Sequence, residues 1–95
     1  MSTKILKLTT GEEIIADVVS QNSNSITVRD TLAVMLKPAH DGFTYGFIPW
    51  VPMVEGNKEI SLAHVIFIGD PAEDARNAYA DMFGKIITPE KKLII

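Results

Sequence analysis

Few side chains in this sequence could carry covalent chemistry. There is no cysteine, which excludes a disulfide framework, a thiolate metal site and a Cys nucleophile. The only histidines are His40 and His64. His40 stands beside Asp41 with no third ligand at a metal-like spacing, and His64 lies in an apolar run, where an imidazole is expected as a hydrogen-bonded core residue. The carboxylates include two adjacent pairs, Glu12 with Glu13 and Glu73 with Asp74. Neighbours on a strand face opposite ways, and acids at a helix start are explained by the positive end of its dipole. No nucleophile elbow, phosphate loop or catalytic triad is present. The expectation is a protein that is not an enzyme and uses neither metal nor cofactor.

Binding has better candidates. The polar turn Asn22, Ser23 and Asn24 could hydrogen-bond base edges, with Arg29, Lys37 and Lys58 near phosphates. Each is weak alone, because Asn and Ser are ordinary turn residues whose side chains bond their own backbone. The remaining candidate is Trp50, the one tryptophan, held between Pro49 and Pro52 in "YGFIPWVPMVEGN". An indole face can stack an unpaired base for about 1 to 3 kcal/mol. The same ring could instead fill the core as a rigid apolar body, or anchor a subunit interface, where Trp is favoured. All three roles remain open at this level.

Such side chains need a scaffold, and the length bounds it. Ninety-five residues make one domain, residues 1–95, large enough to bury a core without staples. The formal net charge of -3 argues against a domain that coats nucleic acid through bulk positive field, although a local basic patch remains open. "MSTKILKLTT" has no signal-peptide pattern, and no apolar run approaches the roughly 20 residues that span a bilayer. A soluble, cytoplasmic protein without a membrane partner is expected.

Five strands are predicted between about residues 3 and 69, followed by one helix. "TKILKL" (3–8) reads as a short strand, "TTGEE" as a turn around Gly11, and "EIIADVVSQ" (13–21) as a strand apolar on much of both faces. After the "NSNS" turn, "SITVRDTLAVMLKP" is a long strand in which Asp30 suggests a bulge or bend. Asp41 and Gly42 signal a tight turn into a fourth strand from Phe43 to about Ile48. "ISLAHVIFIG" (60–69) reads as a fifth, apolar on almost every residue. The helix is expected over about 71–83, with Asp70 as cap, Pro71 at its first position and Gly84 at its end. Ala72, Ala75, Ala78, Tyr79, Met82 and Phe83 form its apolar stripe. The tail, residues 85–95, ends on Leu93, Ile94 and Ile95, which should be sticky unless packed.

"LTTGEEIIADVV" (8–19) resembles the first half of the Sm/LSm signature. That pattern has a Leu, a turn Gly three residues later, then alternating apolar residues with a small one five after the Gly; here these are Leu8, Gly11, Ile14, Ala16 and Val18. The resemblance implies a strongly bent, SH3-like open barrel that assembles into a homo-oligomeric ring and binds RNA around a pore. The family's pore-lining Asp and Asn fall on Asn22 and near Asn24. Its Arg-Gly pair lands on Val51 and Pro52, or on Ser61 and Leu62, since no Arg lies between Asp30 and Glu73. The family's N-terminal helix has no counterpart; a helix follows the strands instead. The whole chain also resembles small Sm-like proteins of marine phages, cyanophages included, which share the "GEEI" turn, the "PW" segment and a "DPAE"-like helix start. That implies a phage origin and the cytoplasm of a bacterial host.

Two prolines three apart remove a donor from each side of a strand, which no central strand tolerates. Pro49, Trp50, Val51 and Pro52 therefore mark a bend or an edge. In the family, strand four pairs with strand five of a neighbouring subunit, which points to Val65 and Phe67 as the complementary edge. Head-to-tail contacts of this kind close into rings, here of about five to seven subunits. The expectation is a mostly β, Sm-like open barrel with one C-terminal helix, forming a homo-oligomeric ring that binds nucleic acid, single-stranded RNA or DNA, and serves its processing. The competing expectation is a structural or adaptor module of phage origin that makes protein contacts and binds no nucleic acid.

Overall fold

The computed structural model describes residues 2–84; the apolar tail expected at 85–95 lies outside them. Six strands form one antiparallel sheet: β1 (Ser2–Leu8), β2 (Glu13–Gln21), β3 (Ser25–Ala39), β4 (Gly42–Pro49), β5 (Lys58–Ser61) and β6 (Val65–Gly69), followed by the helix α1 (Glu73–Met82). The order across the sheet is β4-β3-β2-β1-β6, and β5 pairs with β3 on the edge it shares with β4. The sheet is bent and not closed. The expected mostly β architecture with one C-terminal helix is thus what the chain adopts.

The apolar run at 60–69 is not one strand. Ser61 ends β5, and its Oγ accepts from the Ala63 amide at 3.3 Å, capping a 3-10 turn over Leu62–His64 before β6 begins. The break has a topological cause. β5 belongs to the ladder on β3, whereas β6 belongs to the ladder on β1. The turn carries the chain from one ladder to the other. It also takes His64 off any strand, so this residue is exposed rather than in the core; its Nδ1 lies 3.5 Å from Thr9 Oγ1.

The bend expected at Asp30 is present and has a consequence for every residue after it. Ile15 faces Leu32 across the β2–β3 ladder but Asp17 faces Arg29, so β3 carries one extra residue at this point. Asp30 occupies it with φ +54, a left-handed conformation that Asp tolerates better than most residues. One extra residue exchanges the faces of a strand. Ile26 and Val28 accordingly enter a cluster with Leu6, Leu8, Ile14 and Ala16 on the inner face, while Leu32 joins Ile15 and Tyr79 on the outer face.

Helix α1 covers that outer patch. Tyr79 and Ala80 are its buried residues, and the Tyr79 hydroxyl donates to the Asp30 carbonyl at 2.8 Å, tying the helix to the bend. Of the expected stripe, Ala75 and Ala78 are half-buried, but Ala72, Met82 and Phe83 are exposed. Tyr79 is the helix residue that joins the buried outer cluster. The helix start also differs from expectation. Ala72 is the cap residue and makes no side-chain cap bond, because Asp70 is held by Lys4 in an ion pair instead. Pro71 lies buried ahead of the helix. Glu73 and Asp74 do fall in the first turn, and Asp74 stands close enough to Tyr45 on β4 to act with burial, the larger effect, in raising the phenol's pKa. At the other end Gly84 has φ +65, the left-handed conformation that glycine supplies after a helix.

Candidate nucleic-acid interface

The most distinctive feature of the sheet is a gap in one ladder. Along one edge of β3, Ser25 to Val28 pair with β5 and Leu32 to Ala39 pair with β4. Arg29, Asp30 and Thr31 fall between, with no strand partner on that edge. The connection from β4 to β5 crosses this gap and is sewn to it at one point. The Trp50 amide donates to the Thr31 carbonyl at 3.3 Å, and the Thr31 hydroxyl donates to the Trp50 carbonyl at 3.1 Å. This explains the prolines. Pro49 is the last residue of β4, opposite Leu32, and Pro52 follows after the chain has left the ladder. Val51 between them has φ +50, and its carbonyl accepts from Val54 in a tight turn.

Trp50 is half-buried. One part of it packs against the inner cluster, and Nε1 donates to the Glu12 carboxylate at 3.2 Å. Of the roles open from sequence, packing beside the chain's own core is therefore in place, while the ring still borders two clefts. The larger, about 410 Å³, occupies the ladder gap and is bordered by Arg29, Leu32, Trp50, Val54, Asn57 and Lys58, with Phe83 reaching it from the helix end. The smaller, about 270 Å³, lies beside Trp50 towards Ile60 and shares Val54, Asn57 and Lys58 with the first.

The sequence candidates divide into separate places. Arg29, Trp50 and Lys58 meet at the larger cleft, with Pro49 and Pro52 in its wall. Arg29 has a carboxylate nearby, Nε lying 4.0 Å from Asp30 Oδ2. Lys58 is half-buried and makes no ion pair among the described residues. Asn22, Ser23 and Asn24 form the turn ahead of β3, at least five residues' rise or about 16 Å along the strand from Arg29. The Asn22 side-chain oxygen accepts from the Asn24 and Ser25 amides at 2.7 and 2.8 Å, so the turn itself consumes it. Ser23 and Asn24 are exposed, and the Asn24 carbonyl accepts from Leu62 at the 3-10 turn. Lys37 belongs to neither group; it is exposed on the far half of β3, opposite Thr44.

The candidate interface residues also separate. Val51 is exposed at the loop and Phe67 is exposed on β6, but Val65 is half-buried against the inner cluster. Residues that sequence reasoning passed over include Glu12, which orients the indole, and Asn57, which borders both clefts. Asn57 was legible only as a polar turn residue beside Lys58. Glu12 stood out only as one of two adjacent carboxylates, and nothing local pointed to its indole partner 38 residues away.

Among the described residues no three His, Asp or Glu side chains come together as a metal site, and no helix there is long and apolar enough to cross a membrane. Neither a protein-family model nor a curated protein matches this chain.

Proposed function

We propose that this chain is a non-enzymatic, Sm-like, ring-forming protein that binds single-stranded nucleic acid, RNA foremost, and acts in its processing. The observation that carries this reading is the convergence of Arg29, Trp50 and Lys58, from two strands and a loop, on one cleft. Two cations beside an indole are the elements of single-strand binding, in which the backbone is neutralised and a base finds a flat apolar surface. The phage origin rests on the resemblance of the sequence.

Ring formation draws support from the two ends of the sheet. β4 and β6 each pair with one strand only among the described residues, and each carries exposed apolar side chains, Phe43 and Ile48 on one and Ile66 and Phe67 on the other. Unpaired edges of this kind invite strand pairing with a second chain, and such pairing between unlike edges is head-to-tail. Light scattering at moderate salt should give about five to seven times the protomer mass, the range of rings of this kind. A short single-stranded RNA should then quench Trp50 fluorescence, with affinity falling as salt rises. A monomeric mass removes the ring, and unchanged fluorescence together with no binding by calorimetry removes the nucleic acid.

The adaptor reading is favoured by a different observation. Met53 is 91% exposed, and Val51 and Val54 beside it are exposed too, an apolar loop suited to a protein partner; the net charge of -3 points the same way. It becomes the better reading if no oligonucleotide binds.

A further inference from the structure

From the ladder gap we infer that each protomer holds one nucleotide unit by itself, its base against Trp50 in the larger cleft and its phosphate at Lys58. This rests on the nucleic-acid reading above but locates binding in a single subunit, away from the turn Asn22 to Ser25 and independent of any ring axis.

The chemistry of the walls selects the ligand. The larger cleft combines the indole with apolar surface from Leu32, Pro52 and Val54, then turns polar at Asn57, Thr31 and the two cations. A ligand that matches is flat and weakly polar at one end, anionic at the other, and carries hydrogen-bonding edges between them. A nucleoside monophosphate has this form. The volume, about 410 Å³, falls within the range of small-ligand sites. Trp50 is not free to swing away, being anchored through both its backbone groups and Nε1, so the surface offered to a base is preformed and little ordering is lost on binding.

The carboxylates decide where the phosphate goes. Asp30 stands beside Arg29, and Glu12 is engaged with the indole nitrogen. A phosphate is repelled from both and drawn to Lys58, a half-buried residue whose ammonium makes no ion pair among the described residues. Lys58 and Asn57 also border the smaller cleft. A chain leaving the first site at Lys58 borders this second space, where Glu59 also lines the wall and disfavours a further phosphate, so the space suits the sugar or base of a next unit.

The test uses the full chain, with uridine and adenosine 5′-monophosphates and a short single-stranded RNA as probes, followed by calorimetry and by amide shifts in NMR spectra. Both monophosphates should bind and shift the amides of Arg29 to Leu32 and Trp50 to Lys58. Lys58→Ala should weaken them by about tenfold, the scale of one lost charge-assisted contact, while Asn24→Ala leaves them unchanged. Uridine without its phosphate should bind more weakly than the monophosphate, and equally in wild type and Lys58→Ala. If the RNA binds but the monophosphates do not, or if Lys58→Ala binds them as tightly as wild type, the cleft assignment is overturned while the single-strand reading stands. If the monophosphates bind through Lys58 but the RNA binds no tighter than one unit, the assignment stands and the strand-binding reading falls. If neither probe binds, both fall. Melting curves of the variant distinguish a lost contact from a lost fold, and Lys58→Arg, which keeps the charge, should restore most of the affinity.

Discussion

The second half of β3 is the more apolar in sequence, yet it is the more exposed of the two. In the first half Ile26 and Val28 are fully buried; in the second Leu36 is 66% exposed, and Phe43 opposite the end of the strand is 76% exposed. The difference lies in what flanks them. The first half runs between β2 and β5 and closes the inner cluster. The second outruns β2, whose pairing reaches only to Ala33, so beyond that residue β3 has β4 alone. A two-stranded ribbon is marginal unless something packs on it; the outer cluster with Tyr79 of α1 takes in Leu32, Val34 and Phe47 near its base, and beyond them Asp74 approaches Tyr45. Hydrophobicity therefore marks which residues can be buried, while ladder partners determine which ones are.

The comparison can be broken most sharply at Ile26. Ile26→Ala should cost about 2 to 5 kcal/mol in urea unfolding, as for fully buried aliphatic residues; a loss below about 1 would mean that the inner cluster is not the core. The hinge between the halves comes next. Asp30→Val should cost about 1 to 2 kcal/mol, because a β-branched residue resists the left-handed backbone, whereas Asp30→Gly should be close to neutral; equal effects would show that the bend does not depend on this conformation. Tyr79→Phe keeps the ring but deletes the hydrogen bond to the hinge, and should cost about 0.5 to 1.5 kcal/mol. Leu36→Ala should change stability by no more than about 0.5 kcal/mol. A loss comparable to that of Ile26→Ala would reveal a neighbouring molecule covering the arm.

The smallest effect concerns pH and lies far from both halves. Lys4 holds the Asp70 carboxyl below its usual range, chiefly by hydrogen bonding and then by charge. A carboxylate with a depressed folded pKa stabilises above its unfolded value, near 3.9, and loses that contribution as pH falls through the lower folded value. The difference in melting temperature between wild type and Asp70→Asn should therefore shrink below about pH 4. It should be small at any pH, since the Asp70 side chain is largely solvent-exposed.

What was legible in the sequence was local. The period-two alternation of residues 13–21, the Gly42 hairpin and the bend at Asp30 each follow from a few neighbouring residues, and each is present. The 3-10 turn inside 60–69, the exposed position of His64 and the engagement of Asp70 by Lys4 were not legible, because they depend on which distant strands β5 and β6 join. The site divides in the same way. Arg29, Trp50 and Lys58 were recognisable by type, but the cleft that unites them exists only because β4 and β5 leave three residues of β3 unpaired between them. Val65 and Phe67 alternate on one apolar run, yet the bulge at Ile66 in the β1–β6 ladder intervenes, and only Phe67 is left exposed.

Val51 holds a conformation that β-branched residues avoid, at a cost on the order of 1 to 2 kcal/mol. Cut free as a peptide, the segment from Pro49 to Val54 would adopt this shape in a small minority of molecules, about one in ten or fewer at such a cost. In the intact chain the two bonds between Trp50 and Thr31, and the bond from the Val54 amide to the Val51 carbonyl, favour it. The folded chain thus offsets the cost of a loop shape that the isolated segment would rarely adopt.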